Sequence, residues 1–120
     1  MADAETRRGG CHCGAVRYTV ELDREASALS CNCSMCAKAG TLLSFVPAER
    51  FHRERGEDAT GDYLFNTQHI HHLFCRTCGI KSFARGKGRD GREMVAVNVR
   101  CLDGFEPEQF RVTPVDGRSR

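Results

Sequence analysis

Three cysteines fall within six positions in Cys31-Asn32-Cys33-Ser34-Met35-Cys36, a density that points to one shared task. If Ser30 to Cys33 is extended, the Cys31 and Cys33 side chains leave the same face of the backbone. A turn over Ser34-Met35 then brings Cys36 round to complete a three-thiolate cup. A tetrahedral metal such as zinc, held by three ligands, keeps its fourth position for water or substrate; catalytic zinc sites differ in this way from closed structural ones. Two further pairs, Cys11-His12-Cys13 and Cys75-Arg76-Thr77-Cys78, are bidentate halves far apart in sequence, as in zinc ribbons and knuckles. Together they make a four-sulfur site, and of the eight cysteines only Cys101 is left without a place. The competing reading closes the cup with Cys101, His72 or His12 and leaves it structural. An extended segment turns His12 away from the Cys11/Cys13 face, and Cys101 alone reads as a small buried hydrophobe.

Such sites need elements that deliver thiols, and the chain around them reads as mainly β. Ala15 to Leu22 alternates apolar and polar residues, as a half-buried strand does. Asp23 to Ser27 is the turn after it, and Ala28 to Cys31 is a short strand that delivers the first ligand of the cup. Ala37 to Gly40 is one helical turn closed by Gly40 in a left-handed conformation. Leu42 to Val46 is a buried strand stopped by Pro47, and Pro47 to Phe51 is a helical turn. Phe51 to Arg55 alternates weakly, and Gly56 to Asp62 is a polar loop. Tyr63 to Phe65 and Ile70 to Phe74 are strands, the second running into Cys75. Gly79 supplies the positive φ that a Cys75–Cys78 knuckle needs. Ile80 to Ala84 and Met94 to Val99 are further strands, separated by a charged hairpin loop over Gly86 to Gly91. Phe105, Phe110 and Val112 are packing candidates in the tail, which frays from Pro114 onward.

At 120 residues and 40% hydrophobic content, the chain is one domain, with a core over about residues 7–113 and frayed termini. The N-terminus lacks the apolar stretch of a secretory signal, and no apolar run spans a bilayer. The expected setting is therefore the reducing cytoplasm, where eight cysteines are better explained by metal than by disulfides. A net charge of +2, no Trp and only two Tyr demand neither a nucleic-acid nor a membrane partner.

Gly10-Cys11-His12-Cys13-Gly14-Ala15-Val16-Arg17-Tyr18, Cys31-Asn32-Cys33-Ser34-Met35-Cys36, Phe74-Cys75-Arg76-Thr77-Cys78-Gly79 and Val97-Asn98-Val99-Arg100-Cys101-Leu102 resemble the glutathione-dependent formaldehyde-activating enzyme (GFA) family, which includes centromere protein V. The resemblance spans nearly the whole chain. It implies a β-tent of stacked antiparallel sheets and two zinc ions per chain. One is structural, on Cys11, Cys13, Cys75 and Cys78; the other is catalytic, on Cys31, Cys33 and Cys36. It also implies a carbon–sulfur lyase that adds the glutathione thiol to formaldehyde. Three thiolates leave the zinc site at formal charge −1, which favours thiol activation over carbonyl polarisation. Glutathione carries two carboxylates, so basic groups should line its pocket, with Lys38, Arg53, Lys81 and Arg85 as candidates. Two alternatives come from other classes: a zinc-binding protein-interaction module without catalysis, and a methionine-sulfoxide-reductase-like redox enzyme using Cys101.

Overall fold

The computed structural model describes residues 4–23, 27–64, 70–88, 90–106, 108 and 110–116. Among these residues, ten strands form two sheets. The smaller holds β1 (Ala4–Gly10), β2 (Arg17–Asp23) and β5 (Phe51–Arg55), in the antiparallel order β1-β2-β5. The larger holds β3 (Ser27–Cys31), β4 (Leu43–Pro47), β6 (Thr60–Leu64), β7 (His71–Cys75), β8 (Phe83–Lys87), β9 (Glu93–Asn98) and β10 (Arg111–Val115). Its order is β10-β3-β4-β9-β8-β7-β6, antiparallel throughout except that β10 runs parallel to β3. The one α-helix among the described residues is α1 (Ser34–Ala39). No helix among them is long and apolar enough to cross a membrane.

The strand alternation decides what each face of the large sheet does. Val46, Leu73, Phe83, Val95 and Val97 point toward the small sheet and pack with Val16, Tyr18, Val20 and Phe51. Tyr18, Phe51 and Phe83 form the centre of this core, with ring centroids 4.7 to 5.9 Å apart, and the Tyr18 hydroxyl donates to the Ser82 carbonyl at 3.1 Å. The intervening residues Leu43, Ala84 and Ala96 face the other way and pack against Cys36. The large sheet is thus a wall, with the hydrophobic core behind it and the cysteine cup in front.

Several elements differ from the sequence expectations. Ala4–Gly10 is a full strand rather than a frayed start, paired residue for residue with β2. It carries no apolar alternation because it is an edge strand, held by the ladder and by an Arg8–Glu54 ion pair at 2.9 Å. The strand expected at Ile80 to Ala84 begins three residues later. The Ser82 carbonyl is taken by the Asn98 amide and the Tyr18 hydroxyl, and Asn98 Nδ2 donates to the Lys81 carbonyl, so ladder pairing starts at Phe83. It then runs through Lys87, into what reads as a charged loop, steadied by an Arg85–Glu93 ion pair. The polar segment Gly56 to Asp62 is a 3-10 turn at Glu57–Ala59 followed by the start of β6. The tail does not fray at Pro114, because β10 extends through Val115 along β3. In that tail Phe110 is buried and Phe105 packs against the core, whereas Val112 is exposed. Phe65 and His69 lie outside the described residues.

Gly10 marks the closest backbone approach. A Cβ there would stand 2.0 Å from the Val16 carbonyl oxygen, which accepts the Cys11 amide hydrogen at 3.1 Å. Gly10→Ala is therefore expected to cost about 3 kcal/mol of stability, the upper end of overpacking effects. Urea unfolding monitored by circular dichroism measures it.

Candidate metal centres and substrate cavity

The two C-x-C and C-x-x-C halves meet. Cys11 and Cys13 follow the end of β1, Cys75 ends β7, and Cys78 sits in the turn beyond, where the Gly79 amide donates to the Cys75 carbonyl at 2.8 Å. Gly79 has φ of +80° with open space around its Cα, so backbone conformation and not crowding requires glycine. The four sulfurs lie within 4.8 Å of one another. Cys11 and Cys13 Sγ are 3.7 Å apart, and Cys13 and Cys75 Sγ 3.6 Å. A zinc ion about 2.3 Å from each sulfur sets a tetrahedral edge of about 3.8 Å, so the spacing fits a shared ion. It does not fit a disulfide, whose sulfurs stand about 2.05 Å apart; all eight cysteines are free. Backbone amides point at the sulfurs, from Val16 to Cys11 at 3.3 Å and from Thr77 and Cys78 to Cys75 at 3.4 and 3.5 Å. Donors of this kind favour the thiolate. The amides of Ile80 and Cys13 draw Cys78 down to about 6.

The cup is assembled by a strand and a helix start. Cys31 ends β3, and Cys33 is the N-cap of α1, its sulfur accepting the Cys36 amide hydrogen at 3.3 Å. The helix begins at Ser34, so the turn expected over Ser34-Met35 is its first turn and Cys36 stands on the helix itself. Gly40 closes it with φ of +68°, as the sequence indicated. The Cys31, Cys33 and Cys36 sulfurs lie within 4.8 Å of one another, and among the described residues no histidine, carboxylate or further cysteine joins them. His12 is exposed, Cys101 Sγ is directed at the Lys81 carbonyl at 3.9 Å, and His72 contacts Lys81. Three sulfurs converging on one point suit a tetrahedral ion with one open position. Burial opposes ionisation of Cys33, yet the Cys36 amide, the thiols of Cys36 and Cys31 and the Met35 amide outweigh it and hold the thiol below its ordinary value. Burial and the neighbouring Cys33 push Cys36 up to about 11, against the pull of Lys81 and the Thr41 hydroxyl.

Between the two cysteine clusters lies a cavity of about 750 Å³, lined by Met35 and Gly40 from the start and C-cap of α1, by His72 and Asn98 from the sheet, by Lys81 before β8 and Arg100 after β9, and by Cys11 of the four-sulfur cluster. Lys81 is only 7% exposed. Its Nζ donates to His72 Nδ1 at 2.6 Å, and its carbonyl is fixed by Asn98 Nδ2 at 2.9 Å. Burial, then the Lys81 charge, lowers His72 to about 4, so the ring is neutral and Nδ1 can accept. Burial also lowers the Lys81 ammonium, against the attraction of Cys36, Cys33 and Cys31.

Of the four basic residues proposed from sequence for the pocket, only Lys81 lines this cavity. Lys38 is exposed in the last turn of α1. Arg53 and Arg85 border a different cavity, because Arg85 shares the alternation of Phe83 and not that of Ala84. Arg17, paired with Asp103, and Arg100 line the cup's cavity unforeseen. Asn98 also escaped notice, although a lone amide inside the apolar run Val95 to Val99 was the signal available. Cys101 is pushed up to about 11 by burial, the wrong direction for a redox nucleophile.

Residues 6–114 match the family model of the glutathione-dependent formaldehyde-activating enzyme. The crystal structure of a Rhodobacter sphaeroides protein is similar to this chain, with a TM-score of 0.75 and 35% sequence identity over 88% of this chain and 99% of that one.

Proposed function

Since the chain belongs to the glutathione-dependent formaldehyde-activating enzyme family, we propose that it is a carbon–sulfur lyase that joins a thiol, glutathione in the first instance, to formaldehyde or a related small carbonyl at the Cys31/Cys33/Cys36 cup. The observation that carries this reading is a cup one ligand short beside a cavity that also holds a buried lysine. Cys31, Cys33 and Cys36 would hold a catalytic zinc, and Cys11, Cys13, Cys75 and Cys78 a structural one. A zinc ion held there would stabilise a thiolate at neutral pH, where a free thiol of pKa about 8.5 is mostly protonated. A reducing cytoplasm, in which both the cup and the substrate thiol stay reduced, is the matching compartment.

The chain's own groups supply the proton. As the new carbon–sulfur bond forms, the carbonyl π pair moves onto oxygen, and Lys81 Nζ gives that oxygen its proton. Neutral Lys81 then takes a proton from the next incoming thiol, so the net change is thiol plus aldehyde to hydroxymethyl thioether. His72 Nδ1, accepting from Nζ, orients the amine, and Asn98 fixes the backbone beneath it. Lys81→Met is expected to lower kcat about 10²- to 10⁴-fold, the usual range for a general acid. It should also flatten the fall in rate at alkaline pH that deprotonation of Lys81 causes. Product formation from carbon-13 formaldehyde and glutathione, followed by NMR, gives both readouts, and an unchanged pH profile in an active Lys81→Met variant would remove the lysine from the mechanism.

A further inference from the structure

Arg53 and Arg85 meet in a second cavity, of about 940 Å³, on the face of the large sheet away from the cup. Arg53 rises from β5 of the small sheet, its guanidinium carbon 5.2 Å from the centroid of the Phe83 ring. Arg85 extends from β8 on the same side, at the open edge of the core. The two charges are poorly balanced. Among the described residues Arg53 makes no ion pair, and its side-chain hydrogen bond runs from Nη1 to Thr60 Oγ1 at 3.4 Å. Arg85 pairs through Nη2 with Glu93 at 3.1 Å, while its Nε is buried with no acceptor. Around the rim stand Lys87 and the His71–Asp62 pair, so three full cations face Asp62 and Glu93 in the cavity wall, with Glu57 acting on Arg53 from outside it.

Half-buried like charges repel more strongly than in water, and an unsatisfied buried donor adds its own cost. Burial and the neighbouring Arg85 both lower Arg53's affinity for its proton, against the attraction of Glu57. A bound anion relieves both costs at once, and the guanidinium fork matches planar and tetrahedral oxyanions. We propose that Arg53 and Arg85 form a binding site for a small oxyanion, a carboxylate or a phosphate group, on the opposite face of the large sheet from the cysteine cup. Arg85 Nε and the guanidinium of Arg53 are its donors. Leu73 in the cavity wall offers contact to an apolar body, and the rim carboxylates select against large polyanions. The site is independent of the reaction proposed at the cup.

Titration of the metal-loaded protein with inorganic phosphate and, separately, succinate, followed through the Arg85 Nε–H and Gly86 amide resonances, tests the site. Saturable shifts with either anion are expected, and the tighter of the two identifies the ligand as phosphate- or carboxylate-bearing. Arg53→Met and Arg85→Met should each weaken binding at least about tenfold, the loss of one charge-assisted hydrogen bond. Arg85→Lys, which keeps the charge without the fork, should fall between. Absence of saturable shifts with both anions at tens of millimolar would overturn the proposal. So would an affinity unchanged by Arg85→Met, which places the bound anion elsewhere, for example at the cup.

Discussion

Replacing Cys33 by serine is expected to lower turnover by about 10³-fold or more, at least about 4 kcal/mol of barrier, while the domain stays folded. Cys33 carries two separable duties. Its sulfur completes the three-thiolate cup, and the same sulfur caps α1 by accepting the Cys36 amide hydrogen at 3.3 Å. Serine is among the best N-cap residues, so the capping duty survives and stability should change by no more than about 1 kcal/mol. Hydroxymethyl thioether formation and a thermal melt on the same sample separate the two. Turnover within tenfold of the parent protein would show that the cup is not where the reaction occurs. Substitution of Cys36 is a poorer probe, since its side chain also packs against Leu43, Ala84 and Ala96.

The four-sulfur site should respond in the opposite way. Cys75→Ser, or a strong chelator at neutral pH, is expected to unfold the chain. Structural zinc binding contributes about 10–16 kcal/mol, against a total stability of about 5–15 kcal/mol for a typical domain. Cys75 is 1% exposed and lies within the main core, and its site ties the end of β1 to the end of β7. Loss of near-ultraviolet circular dichroism and of amide dispersion measures the outcome. A metal-free protein that keeps a dispersed amide spectrum would assign the fold's stability to packing alone. The contrast between Cys33→Ser and Cys75→Ser is the sharper result: one variant is inactive and folded, the other unfolded.

The two cysteine clusters were legible in the sequence because thiols that can share an ion sit at short, fixed spacings, and the strands that deliver them end on a cysteine. Cys31, at the end of β3, and Cys75, at the end of β7, follow that rule. What could not be read was anything decided by contacts across the sheets. β1 has no apolar pattern of its own and exists by pairing with β2. The start of β8 is set by Tyr18 and Asn98, which are distant in sequence from it. The basic residues divide between two cavities according to the pleat of β8 and β9, and a one-residue difference in alternation separates Arg85 from Ala84. Charge alone therefore named four pocket lysines and arginines and placed one, Lys81.

The parallel pairing of β10 with β3 also ties the strand that carries Cys31 to a segment far along the chain. During synthesis the three cysteines of the cup are present once residue 36 has emerged, and the four of the other cluster once residue 78 has. Cys31 gains its β10 neighbour only after residue 115 is made, with Val115 opposite Cys31 and the Asn32 amide on the Val115 carbonyl. Vectorial folding thus lets the four cysteines at Cys11, Cys13, Cys75 and Cys78 come together before β10 exists, whereas the strand carrying Cys31 is flanked on both sides only after it. A product truncated before Arg111 should then keep the four-sulfur cluster and lose the outer support of the strand that carries Cys31.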